Sequence, residues 1–160
     1  MLFRLWRILA RIPGLEGFLL HVINARFIVG VSGVILDGEN RVLLFHHTYR
    51  RRYAWGLPGG WMRAGEDARV ALTREVAEES GLAVNVLAPI AVETVRRRTI
   101  IEMIYLARLT GGQFLPSAEV DAIRLVEGDI DEPIKPVQRR AIAEVRRLAA
   151  EGKLPERIDV

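Results

Sequence analysis

Three glutamates, Glu75, Glu78 and Glu79, constrain this chain more than any other feature. The stretch from Asp67 to Ser80 reads as a helix, with Glu66 and Asp67 at its positive N-terminal end and Gly81 placed to stop it. On that helix the three glutamates stand at i, i+3 and i+4, so their carboxylates project from one side within an arc of about 100°. Like charges at that spacing repel by roughly a few tenths of a kcal/mol per pair, so the stack has a cost unless something positive sits among them. A hard divalent cation is the natural occupant. Magnesium or manganese takes oxygen ligands in an octahedral array and keeps positions open for phosphate oxygens. Arg74 stands i, i+4 from Glu78, where its guanidinium can orient a carboxylate, so it reads as an orienting partner within the catalytic group rather than a substrate clamp. Ala68 and Ala71, one turn earlier on the same face, let the helix sit close under a ligand. Gly59 and Gly60 lack a Cβ and allow the incoming loop to bring backbone groups near the metal.

Composition narrows the chemistry further. The chain has no cysteine, which excludes disulfides, thiol nucleophiles and zinc-thiolate sites. Its imidazoles are His21, His46 and His47, and the last two end a strand facing opposite sides, so they do not share one metal. The formal charge is +3, the sequence pI is about 9.8, and Lys135 and Lys153 are the only lysines among 23 basic residues. An arginine-rich chain suits a polyanionic substrate, because the guanidinium fork grips phosphate bidentately. Half of the 160 residues are hydrophobic, enough for one domain with a real core.

Along the chain, residues 1–25 read as an amphipathic helical extension, with Arg4, Arg7 and Arg11 on one stripe of its first helix. Such a segment packs on its own core or on a second subunit, as in a homodimer, or makes peripheral contact with an anionic membrane. No stretch reaches the twenty or so apolar residues of a membrane span, and no cleavable leader is evident, so a cytoplasmic setting is expected. Residues 26–160 form the main domain. A hairpin is predicted from Phe27–Leu36 and Arg41–His46 around Asp37-Gly38-Glu39-Asn40. A short strand follows from Trp55 into a glycine-rich turn at Gly59-Gly60, and then the carboxylate helix. Strands are predicted at Val86–Val95 and Thr99–Leu109, joined by a turn at Arg96-Arg97-Arg98. A Gly111-Gly112 loop leads to a last strand at Glu119–Val126, and a helix runs from Pro136 to Gly152.

The segment Gly60–Leu82 resembles the complete Nudix box: Gly60, five residues, Glu66, seven residues, Arg74-Glu75-Val76, one residue, Glu78-Glu79, one residue, Gly81-Leu82. Leu57-Pro58-Gly59 is similar to the usual lead-in. The resemblance implies an α/β fold, an α/β/α sandwich with a central mixed β-sheet, and Mg2+- or Mn2+-dependent hydrolysis of a small nucleoside diphosphate linked to another moiety. It implies a metal held by Glu78 and Glu79, helped by Glu75 and the Gly60 carbonyl, and a general base that is Glu75, Glu79 or a late-loop glutamate, for which Glu119 is the candidate. Arg50, Arg52, Tyr53 and Arg97, from two basic clusters, are candidates for gripping phosphates and stacking a base. Markers of particular substrate branches are missing downstream. Hydrolysis of a nucleic-acid 5′ end, or nucleotide sensing without catalysis, remain the competing readings.

Overall fold

The structure is a computed structural model and describes residues 27–95 and 99–155. The extension at residues 1–25 and the Arg96–Arg98 turn, with the candidate Arg97, lie outside the described residues. Seven strands and two helices follow in order: β1 Ile28–Leu36, β2 Val42–His47, β3 Trp55–Gly56, β4 Gly59–Trp61, α1 Ala68–Ser80, β5 Leu82–Val95, β6 Ile100–Gly112, β7 Val120–Val126 and α2 Pro136–Ala150. Among these, neither helix is long and apolar enough to cross a membrane.

The strands alternate cleanly between two cores. Val31 and Ile35 of β1, Leu43 and Phe45 of β2, and Tyr105 and Ala107 of β6 pack beneath α1 through Leu72 and Val76. Their neighbours Val34, Leu36, Val42, Leu44, Ile104 and Leu106 point the other way, beneath Ile142 and Val145 of α2. A sheet covered on both faces needs apolar residues at every position, which is why these strands read as continuous hydrophobic runs. The expected mixed sheet between helices is the observed architecture.

Local chemistry sets the ends of the elements. Asp67 caps α1 by accepting from the Arg69 N–H at 2.8 Å, and Gly81 closes it at φ 71°. Asp37 organises the first turn, accepting from the backbone N–H of Glu39 and of Arg41 and from Arg41 Nε at 2.7 Å, while Asn40 takes the left-handed conformation at φ 63°.

Pairing differs from the hairpin expected for β1 and β2. They are antiparallel but share a single register pair, Leu36↔Val42. β1 instead runs parallel to β6 along its whole length and antiparallel to β4, while β2 pairs with β7. Continuous apolar runs carry no register information, so adjacency in sequence was the only guide there. Gly59-Gly60 is a strand rather than a turn, because Gly59 lies so close to β1 that a Cβ would fall 2.1 Å from the Val31 carbonyl oxygen. β5 and β6 are longer than expected and include Leu82–Val86 and Gly111-Gly112. Three register shifts in their pairing, between Ala83/Val84, Val86/Ala88 and Pro89/Ala91, hide the alternation that periodicity would detect.

Leu72 is the anchor of α1 on the sheet: it is fully buried, and its Cδ2 lies 3.0 Å from where a Cβ on Gly33 would stand. Leu72→Ala is expected to cost about 2–5 kcal/mol through a cavity that packed neighbours cannot close. Urea denaturation should show a lower midpoint at unchanged slope.

Candidate active site

β1 and β2 part after their one shared register pair, and a cleft of about 650 Å3 opens against β1 and β4, reaching the loop after β2. Its lining includes Gly60, Glu75 and Glu79 on one side, with Arg50, Tyr49 and Glu119 from loops around it. Five of the residues singled out in the sequence, Arg50, Gly60, Glu75, Glu79 and Glu119, are thus brought together.

Arg74 fixes the helix to the strand before it. Its Nε and Nη2 donate to the two Glu66 oxygens at 2.7 and 2.8 Å, Nη1 to Glu75 Oε1 at 2.8 Å and to Glu78 Oε2 at 3.1 Å, and Nη2 also to the Trp61 carbonyl at 3.2 Å. The bond from Arg74 is the main reason the Glu66 carboxyl is held down at about 2, and Arg74 is in turn stabilised as a cation by Glu66 first and Glu75 next, against the cost of burial. The expected i, i+4 contact with Glu78 is present, but Glu78 is one of four residues that accept from Arg74.

Glu79 is the unusual group. It is 7% exposed, and its Oε2 is buried without a hydrogen-bond partner. Burial, then the charges of Glu75 and Glu119, push its carboxyl up to about 7, while Arg50 and the Gly59 N–H pull the other way. Gly60 faces Glu75 so closely that a Cβ would lie 2.5 Å from the carboxylate carbon. Only glycine leaves room there for a carboxylate and whatever it binds. Behind the cleft His47 is fully buried, and burial together with the Arg50 and Lys135 charges lowers it to about 3, so it stays neutral.

Other expected residues lie elsewhere. Glu78 is 51% exposed and paired with Arg63 at 3.2 Å and with Arg74, outside the cleft, so the three carboxylates do not converge on one point. Among the described residues no three acidic or imidazole groups are already gathered as a metal cluster. Arg52 is stacked on the Tyr53 ring at 4.9 Å, and neither residue lines the cleft. Tyr53 sits at φ 59°, in the left-handed region. His46 bonds Asp121 at 2.6 Å and His47 is buried, so the two histidines do face opposite ways.

Sequence reasoning passed over Ser32, Glu102, Lys135 and Gln138, all of which line the cleft. A signal existed for three of them. Gln138 is the polar member of the buried stripe Gln138, Ala141, Ile142, Val145, and Ser32 and Glu102 interrupt apolar strands.

The family model for the NUDIX domain matches residues 26–145. The human protein named 8-oxo-dGDP phosphatase NUDT18 is 40% identical over 93 residues, which are 58% of this chain but only 28% of that relative's length. A NUDIX hydrolase structure from Nitrosomonas europaea superposes with a TM-score of 0.73 at 24% identity, covering 84% of this chain and 78% of the other. An ADP-ribose pyrophosphatase structure from Streptococcus suis gives 0.65 at 24% identity, covering 76% and 93%. This chain belongs to the Nudix family.

A pH dependence follows from Glu79. Its carboxyl titrates near 4.5 when unfolded and near 7 when folded, so the folded state holds the proton more tightly. The associated stability is complete below about pH 4.5 and is lost as the pH rises to about 7. In chelator, Glu79→Gln should therefore match the wild type at pH 4 and exceed it in stability at pH 8. A variant less stable at pH 8 would show that the burial cost has been offset otherwise.

Proposed function

We propose that this chain is a pyrophosphohydrolase that uses Mg2+ or Mn2+ to split a small nucleoside diphosphate linked to another group. The observation carrying this reading is Glu79, a carboxylate buried with one orphaned oxygen beside Glu75 and facing a cleft. An unpaired buried carboxylate oxygen is expensive, and a divalent cation removes that cost while screening the repulsion from Glu75. The donor set fits a hard ion: the carboxylates of Glu75 and Glu79 supply oxygen ligands, and Gly60, whose backbone packs against the Glu75 carboxylate, would add its carbonyl. Glu78, one turn along from Glu75, has an exposed pair with Arg63 that is weak enough to exchange for a cation. Such an ion would neutralise pyrophosphate oxygens and act as Lewis acid for attack of water on phosphorus.

The protein's own groups do the rest. Arg74 holds Glu75 in place. Glu119 enters from the loop before β7, where Thr48 Oγ1 donates to the Ala118 carbonyl at 2.7 Å and fixes its approach. It is exposed to solvent, close enough to raise Glu79, and suited to take the proton of the attacking water and pass it on. Arg50, whose Nη1 is buried at the cleft wall without a partner, offers an unspent donor to phosphate oxygens. The cleft volume suits a nucleotide-sized ligand. The named activity of the human relative, on a purine nucleoside diphosphate, is in keeping with that size.

A panel of nucleoside diphosphates, dinucleotides, nucleotide sugars and triphosphates with Mg2+ or Mn2+ tests the reading. At least one compound should turn over. Glu79→Gln should lower its kcat/KM by about 100-fold or more, the scale of losing an interaction made in the transition state. Glu119→Gln should act mainly on kcat and Arg50→Ala mainly on KM. An inert panel, or a Glu79→Gln enzyme as fast as wild type, sinks the assignment.

A further inference from the structure

The cleft carries a second polar group that the hydrolysis does not use. Glu102, on β6, is 12% exposed. Its Oε1 accepts from Ser32 Oγ at 3.3 Å and, at the limit of hydrogen bonding, from Gln138 Nε2 at 3.5 Å. Its Oε2 faces the Lys135 ammonium at 3.8 Å, beyond hydrogen-bond reach. Gln138 is itself only 2% exposed, and the Leu57 N–H donates to its Oε1 at 3.2 Å, which orients the amide so that Nε2 is turned to Glu102. Side chains from β1, β6 and α2 therefore converge on one carboxylate whose hydrogen-bonding capacity is poorly used. As a structural device this is costly, since a half-satisfied buried charge stabilises less than an apolar residue in its place.

The sheet register sets an aromatic face beside it. Gly30 of β1 lies opposite Glu102 in β6 on one side and opposite Trp61 in β4 on the other. The Trp61 ring closes over Gly30, with Cζ3 3.3 Å from a notional Cβ there, and yet Trp61 is 55% exposed and lines the cleft. An uncovered indole next to an under-used carboxylate is the arrangement that receives a flat heterocycle, stacked on one and hydrogen-bonded in plane to the other.

We infer that Glu102, Lys135 and Trp61 read the nucleobase of the substrate, and that the base is guanine or a guanine derivative with the same edge. This rests on the proposal that the cleft takes a nucleoside diphosphate compound. Guanine presents, side by side, a carbonyl, a ring N–H and an exocyclic amine. The two donors match the two oxygens of Glu102, and the carbonyl matches the Lys135 ammonium. Adenine and cytosine set a bare ring nitrogen beside their amine, which would face the carboxylate and repel it. Uracil and thymine flank one N–H with two carbonyls, one of which would meet Glu102. Hypoxanthine keeps the carbonyl and the N–H but lacks the amine.

Binding of GDP, IDP, ADP and dGDP to the full chain, by titration calorimetry with Ca2+ in place of Mg2+, tests the inference without requiring turnover. A bidentate edge contact discriminates by about 5- to 150-fold. GDP should therefore bind at least tenfold more tightly than IDP or ADP, and dGDP within about threefold of GDP. Glu102→Gln should bring GDP and IDP within threefold of each other. Should that variant fail to fold, the wild-type comparison stands alone, and Lys135→Met should narrow the gap between GDP and ADP by about tenfold. Equal binding of GDP and IDP overturns the inference. So does weak dGDP binding with GDP and IDP alike, which would place the ribose diol on Glu102. Preference for GDP without hydrolysis of any panel compound leaves base reading intact and removes the enzymatic proposal. Hydrolysis without base preference does the reverse, and no binding of any nucleotide removes both.

Discussion

The Arg74 guanidinium is the point through which the site is held together. By bonding Glu66, Glu75, Glu78 and the Trp61 carbonyl at once, it ties α1 to the strand and loop that precede it. The segment 60–80 is thereby tied together, with Gly60 pressed against Glu75 and no room for a side chain between them. A lysine would keep the charge but lose the planar fork that reaches carboxylates in two directions. The positions of Glu75 and Glu79 relative to β4 follow from that clamp, and so does the shape of the cleft wall they form.

The clamp also offsets an unfavourable placement. Glu75, Glu78 and Glu79 all lie in the second half of α1, toward the negative end of the helix dipole, and the last turn carries no basic residue. Carboxylates there are destabilised by the dipole as well as by one another. What retains the helix is packing, with Ala71, Leu72 and Val76 fully buried. Local rules are broken where the carboxylates stand, while the Asp67 cap, the Gly81 stop and the buried apolar residues obey them. Such a departure from local rules is the mark of a functional site rather than of a helix selected for stability alone.

Much of this was legible before any coordinates. The helix from its Asp67 cap to its Gly81 stop, the carboxylate spacing and the turn at Asp37 are all local, written in residues a few positions apart. Sheet order was not legible, because β1 and β6 are parallel partners some 70 positions apart and both are continuous apolar runs. The fate of Glu78 was equally hidden. Its spacing puts it with Glu75 and Glu79, but Arg63, from the loop before the helix, draws it outward, and no periodicity records that loop's path. Arg52 and Tyr53 are candidate substrate ligands by composition, and in the fold they stack on each other away from the cleft lining, a path that composition does not record. Gln138 and Glu102 could have been flagged as polar residues in apolar stripes, yet only the fold shows that they meet.

The cleft's two kinds of function are carried by different parts of the chain, and the topology explains why. The carboxylate chemistry sits on α1 and β4, contiguous in sequence and held by one arginine. The polar group around Glu102 is assembled from β1, β6 and α2, which meet only because β1 lies between β4 and β6. Gly30 and Ser32, two positions apart on β1, stand about 7 Å from each other along the strand and link the two groups. Ser32 touches Glu102 and pairs in register with Gly59 at the edge of the carboxylate wall. If the proposed roles hold, a side-chain change on β6 or α2 alters what the cleft selects without moving the helix that carries the carboxylates. A contiguous motif can therefore declare how a bond is broken, whereas the identity of the group beyond that bond is spread over strands that no local pattern joins.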